Sequence, residues 1–148
     1  MRKLFATAAM VLVTWGMAHA SEPSKQEAMA MVKQAAAVVN AGKKEQLIAE
    51  VNSDNKTWHQ GELYLIVLAA DGSHLAHPTN SKLLGKSMLD VPDVDGKLFR
   101  QERVELAKTQ GEGWVDYKYK NPANGKIEDK TLYVLRAGDV ILSAGVYK

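Results

Sequence analysis

Gly61-Glu-Leu-Tyr-Leu-Ile-Val-Leu-Ala-Ala-Asp-Gly-Ser-His-Leu-Ala-His-Pro78 is the stretch whose reading decides the fold. Leu63 to Ala69 is a short apolar run rich in β-formers, too short for a typical helix and closed by Asp71-Gly72. Asp-Gly between two apolar runs signals a hairpin, because glycine accepts the positive φ of a tight turn. The returning strand, Ser73 to His77, stops at Pro78, which has no N–H to continue a ladder. A buried strand therefore turns back and delivers His77 to its end, where a binding site can form.

Upstream, Ser21 to Asn52 reads as helix. Ser24 and Glu27 stand at capping-box spacing, and Met29, Val32, Ala36 and Val39 recur at three- and four-residue steps on one face. Asn40-Ala41-Gly42 weakens the pattern before Leu47, Ile48 and Val51 resume it. The stretch is one long helix with a soft point at Gly42 or two helices with a short break, its apolar stripe packing on a sheet. Downstream, Thr79 to Pro92 is loop. Asp93-Val94-Asp95-Gly96 with Glu102 partly fits a calcium loop, but its first ligand position would be Val91, which cannot coordinate. The expectation is instead that Asp95 or Asp93 caps a helix over Lys97 to Gln110, with Leu98, Val104 and Leu106 turned inward.

Gly113 to Lys120, Ile127 to Arg136 and Val140 to Tyr147 read as strands, separated by the turn signals Asn121-Pro122-Ala123-Asn124-Gly125 and Gly138-Asp139. Short hairpin links make neighbours antiparallel. The expected fold class is α+β, a five-stranded antiparallel sheet with helices covering it.

The first residues point to export. Met-Arg-Lys precedes an apolar run from Leu4 to Ala18, and Ala18-His19-Ala20 offers small residues where a signal peptidase cuts. That run of 15 residues falls short of the roughly 20 needed to span a bilayer. The expectation is a cleaved leader over residues 1–20 and one domain over 21–148, exported to the periplasm and not itself membrane-spanning. Without Arg2 and Lys3 the 19 basic residues fall to 17, equal to the 17 acidic ones, so no basic patch points to nucleic acid. The absence of cysteine excludes disulfides, thiolate metal sites and cysteine catalysis.

The order of these signals resembles the single Cache domain of the second type, the extracellular sensing module of chemoreceptors and histidine kinases. The stretches that carry the likeness are Gly61 to Val67, Asp71-Gly72 with Ala76-His77-Pro78, Leu84-Gly85-Lys86, and Asp93 to Gly96. It continues through Gly113 to Tyr117, Asn121-Pro122, Lys130 with Tyr133-Val134, and Ala144 to Tyr147. The resemblance implies a PAS-like fold with a long N-terminal helix and a pocket between the sheet and the connecting loop and helix. It implies a small organic ligand, a short carboxylate above all, and a membrane receptor or kinase as partner. Family members usually sit between membrane helices, whereas this chain ends at Lys148 just after its last strand. The expected product is a Cache module in the periplasm that presents its ligand to a separate receptor, and the N-terminal helix is where a homodimer would pair.

A buried carboxylate must be paired and hydrogen-bonded. The candidate ligand-binding residues are His77, Tyr64, Trp114, Tyr117, Lys130 and Tyr133. Lys130 would supply charge, and the tyrosine and histidine groups would set orientation. Alternation restricts them: Lys130 and Tyr133 are three apart, as are Trp114 and Tyr117, so at most one of each pair faces the pocket in a regular strand. Core packing for the aromatics, a strand-end hydrogen bond for His77 and a solvated strand end for Lys130 are the competing readings. His74-x-x-His77 sends its rings to opposite faces of a regular strand, which argues against a metal site. There is no G-x-S-x-G elbow, no H-E-x-x-H, and no base marked for Ser143, so neither an enzyme nor a cofactor is expected. The alternative function is a structural or protein-interaction domain whose cavity is filled by its own side chains.

Overall fold

The capping box forms as its spacing demands: the Glu27 amide donates to Ser24 Oγ at 3.2 Å and the Ser24 amide to Glu27 Oε2 at 2.6 Å. It opens α1 (Lys25–Asn40), in a computed structural model that describes residues 23–148; the expected leader lies outside the described residues. Ala28, Met31, Val32, Ala35 and Ala36 bury one stripe of α1. The helix ends at Ala41, Gly42 adopts φ +77°, and α2 (Lys44–Asn52) begins again beyond it, so the break is complete and there are two helices.

The strands are β1 (His59–Gln60), β2 (Leu63–Ala69), β3 (His74–Ala76), β4 (Glu112–Lys120), β5 (Ile127–Ala137) and β6 (Val140–Tyr147). Every pairing between these strands is antiparallel, in the order β1-β2-β6-β5-β4, and β3 also pairs with β2. The expected five strands are all present, and two-residue β1 is added to them. Leu63 to Leu68 is buried throughout because β2 is covered on both faces. Leu63, Leu65 and Val67 join the core under α1 and α2, while Tyr64, Ile66 and Leu68 join a second core under α3 (Phe99–Thr109). At the β2–β3 turn Gly72 takes φ +89°, and Asp71 Oδ1 accepts from the Ser73 amide and hydroxyl at 2.9 and 2.7 Å.

The third helix departs from expectation. It starts at Phe99, and Leu98, its N-cap, makes no side-chain cap. Asp93 and Asp95 do not cap it. Asp93 instead pins the preceding loop: Oδ1 accepts from the amides of Asp95 and Lys97, and Oδ2 from the amide of Lys118 on β4. Leu98, expected inward, instead points outward at 39% exposed, while Phe99, Arg100, Arg103, Val104 and Ala107 face inward. Two arginines thereby enter the core between α3 and the sheet.

Candidate functional site

Four of the six sequence candidates meet on the α3 face of the sheet. Tyr64 on β2 and Lys130 on β5 point into the same core, with Lys130 Nζ 2.9 Å from Tyr64 Oη. The same nitrogen lies over the rings of Tyr64, Tyr147 and Tyr119, at 4.1, 4.7 and 5.8 Å from their centroids. Lys130 is 1% exposed, so it is no solvated strand end. Burial first, then the neighbouring Arg103, pulls its pKa down to about 7.

His77 follows β3 directly, its ring 5.3 Å from that of Tyr64. Its Nδ1 accepts from the amides of Asn80 and Thr79 at 3.1 and 3.3 Å, which places the ring proton on Nε2 and leaves that N–H free to donate. Asn52, at the end of α2, fixes the backbone here: its Oδ1 accepts from the His77 amide at 3.1 Å and its Nδ2 donates to Leu75 O at 3.0 Å. Burial, reinforced by Lys130 and His74, pulls the His77 pKa down to about 3, so the ring is neutral. Tyr117 on β4 stacks on Phe99 with centroids 4.0 Å apart, and burial pushes its pKa well up.

Trp114 and Tyr133 lie on the other face. They pack together at 5.3 Å in the core under α1, with Lys25 Nζ 4.9 Å from the Trp114 ring and the Tyr133 hydroxyl bonded to Glu112. Strand alternation thus separates each pair as expected, and the structure does not bring these two to the site.

The histidines require a correction. His74 and His77 line the same cavity, with ring centroids 6.4 Å apart, where regular alternation would part them. The ladder shifts from Val67↔Ala76 to Leu68↔His74, one extra residue on β3, and this bulge turns His74 onto the α3 face. His74 Nδ1 donates to Lys86 O at 3.0 Å, and burial lowers its pKa. Among the described residues no group of three or more histidines and acids is placed to hold a metal.

Arg103 is the feature that the sequence reading missed. It is 1% exposed, its Nη1 donates to Ser143 Oγ at 3.4 Å, and its Nε has no partner among the described residues. Burial pulls its pKa down to about 10. Arg100 beside it donates to Val91 O at 3.1 Å. Both lie in a helix that also carries Phe99, Val104 and Ala107 at three- and four-residue steps, and that spacing could have placed them inside. Tyr119 and Tyr147 were also missed. Tyr119 shares parity with Tyr117 on β4, and Tyr147 sits opposite Lys130 in the β5–β6 register.

Two adjoining spaces share His77 and Tyr119. The inner one, about 10 Å³, is lined by His74, His77, Arg100, Arg103, Tyr117 and Tyr119, with apolar walls from Ile66, Leu83 and Phe99. That is room for roughly one water. The outer one, about 220 Å³, opens beside Tyr64, His77, Thr79, Asn80, Tyr119 and Lys120. No carboxylate lines either space. Cationic and N–H donors thus converge on a partly apolar hollow whose lining carries no carboxylate, an arrangement whose chemistry suits an anion.

The single Cache domain 2 family matches residues 18–148. The chain belongs to that family. This Cache domain is also similar to the sensor histidine kinase MctS of Rhizobium johnstonii, 35% identical over 86 residues, which is 57% of the chain and 18% of the kinase. The matched stretch therefore covers less than a fifth of that relative's length. Among solved structures it superposes, with a TM-score of 0.72 and 25% identity, on a Cache chemosensory domain described for carboxylic acid recognition, covering 82% of this chain and 91% of that one. A methyl-accepting chemotaxis protein from Vibrio parahaemolyticus follows the same fold, with a TM-score of 0.67, 17% identity and 83% and 87% of the two chains covered. Cache domains are sensory modules. No helix among the described residues is long and apolar enough to cross a membrane.

Proposed function

We propose that this Cache domain binds a short organic carboxylate on the α3 face of its sheet, in the periplasm, as the input to a receptor or kinase. The observation that carries the reading is Arg103, buried with an unpartnered Nε and no carboxylate lining the space it faces. A buried guanidinium is costly unless paired. A ligand carboxylate would supply the missing charge, with Arg103 donating, His77 Nε2–H adding a neutral donor, and Tyr64 and Tyr117 fixing orientation. The solved Cache relative described for carboxylic acid recognition shares a quarter of its residues with this chain and supports the same chemistry.

An inner space of about 10 Å³ does not admit a two-carbon acid as it stands, so binding requires the side chains between inner and outer spaces to move apart. The same observation favours a second reading, an interaction domain whose core is simply full. Thermal-shift measurements followed by calorimetry on the chain, with acetate, propionate, lactate and pyruvate, decide between them. Saturable stabilisation by at least one acid, lost in His77→Ala, supports the sensor. No stabilisation by any C2 to C4 carboxylate leaves the filled core.

A further inference from the structure

Arg103 lines the inner space, whereas the outer one, about 220 Å³, is where an acid finds room. His77 and Tyr119 are common to both walls, so these two side chains form the partition. His77 is fixed. Its Nδ1 accepts from the amides of Asn80 and Thr79 at 3.1 and 3.3 Å, and its own amide donates to Asn52 Oδ1 at 3.1 Å. Turning that ring would strip two amides of their acceptor. The loop behind it is tied down as well. Lys86 O accepts from the His74 amide at 3.1 Å and from His74 Nδ1 at 3.0 Å, and the Gly85 amide donates to His74 O at 2.8 Å.

Tyr119 is held differently. It is half-buried on β4, an edge strand, and its ring packs against Phe99 and Tyr117 with centroids 6.3 and 5.9 Å away. Lys130 Nζ lies 5.8 Å from the same ring. These approaches are looser than the 4.0 Å stack of Phe99 on Tyr117 beside them. The backbone next to Tyr119 does not yield. Lys120 O accepts from Tyr147 Oη at 3.2 Å, and the buried Asn121 donates to Glu62 and Glu128 at 2.8 and 3.0 Å. What is free to turn is the Tyr119 ring, about its own side-chain bonds, with the outer space to turn into.

We propose that Tyr119 is the gate between the two spaces and that the bulk of its ring sets the longest acid the site accepts. The proposal rests on the carboxylate reading of the site and adds to it a route of entry and a limit on size. With the ring in place the inner space holds roughly one water. With the ring displaced the two spaces become one. A carboxylate then reaches the Arg103 guanidinium while its other end stays in the outer space beside Tyr64, Thr79 and Asn80. The ring closes against that end and recovers its packing on Phe99 and Tyr117. An acid with a longer tail keeps the ring displaced and forfeits that packing, so affinity falls with chain length.

The test is calorimetric titration with acetate, propionate, butyrate and valerate, run on the unmodified chain, Tyr119→Phe and Tyr119→Leu. In the unmodified chain and in Tyr119→Phe, which keeps the ring, affinity is expected to fall on the order of 10-fold or more from the best acid to valerate. In Tyr119→Leu valerate is expected to regain most of that loss, while acetate, small enough to sit under the closed ring, gains none. A tyrosine with a purely structural role would shift all these acids alike. An unchanged chain-length profile in Tyr119→Leu overturns the gate and leaves the carboxylate site standing. Failure of every acid to bind the unmodified chain overturns both. Should Tyr119→Leu fail to fold, the Tyr119 ring resonances in protein carrying carbon-13 tyrosine, assigned by their loss in Tyr119→Phe, decide the matter. They are expected to move saturably with the best acid, and resonances that stay fixed at saturation overturn the gate.

Discussion

Replacing Arg103 by methionine is expected to make the fold more stable while destroying its ligand response. The guanidinium is 1% exposed, makes one long bond to Ser143 at 3.4 Å, and leaves Nε without a partner. Burial pulls its pKa down to about 10, because the charged form is disfavoured inside the core. Against about 12.5 for a free arginine, and at about 1.4 kcal/mol per pKa unit, the cost is about 3 kcal/mol. Methionine has a similar length, follows irregular space and carries no charge. Losing the Ser143 bond returns about 1 kcal/mol. The net expectation for Arg103→Met is a gain of about 1–3 kcal/mol, within what apolar replacement of buried ionic groups delivers. For a domain of this size that raises Tm by roughly 4–12 °C. Thermal and urea denaturation measure the gain. In the same experiment the unmodified chain, at acid concentrations near 100 times Kd, gains about 2.7 kcal/mol from ligand, and the variant gains none. Arg103→Met that loses stability, or that keeps the ligand-dependent shift, refutes the reasoning, because Arg103 would then be paid back within the fold.

His77→Ala removes the acceptor for the Thr79 and Asn80 amides as well as the Nε2–H donor. It is expected to cost about 1–3 kcal/mol of stability, leave a folded domain by circular dichroism, and abolish acid-dependent stabilisation. The neutral histidines also set the acid limb. His77 is neutral down to about pH 3 when folded, but in the unfolded chain it takes a proton near 6.5, so stability should fall as pH drops through this window. His77→Asn should flatten that limb in denaturation curves taken from pH 7 to 4. Lys130 acts in the alkaline range: the unfolded chain holds its proton above about pH 7 while the folded one releases it, so stability should rise from pH 7 toward 9.5 and Lys130→Met should remove the rise. Gly145→Ala would put a methyl 2.4 Å from Thr131 O, within the β5–β6 ladder, and is expected to lower stability by about 1–3 kcal/mol in urea titrations without addressing the pocket.

The architecture was readable where local chemistry and tertiary structure agree. Asp71-Gly72, Asn124-Gly125 and Gly138-Asp139 each mark a turn, and the Ser24 and Glu27 pair starts α1. Alternation along β4 and β5 is enough to separate Tyr117 from Trp114 and Lys130 from Tyr133. What escaped were the positions where tertiary structure overrides the local expectation. Arg100 and Arg103 went unremarked in the sequence, yet they face inward because they share a helix face with Val104 and Ala107, and Asp93 places its carboxylate on the loop and β4 instead of on the helix. His74 escaped because a one-residue bulge reverses its face, and a bulge leaves no composition signal in Ser73 to His77. Charge in the core is therefore the least legible part of this sequence and the part that defines the candidate site.

The most direct measurement is the Nε–H resonance of Arg103 in protein carrying nitrogen-15 arginine, assigned by its loss in Arg103→Met and followed while acetate, propionate, lactate and pyruvate are added. The expected result is a saturable movement of that resonance with at least one of the acids, as a carboxylate takes the position its unpartnered donor faces. A resonance that stays fixed through the whole series would contradict it.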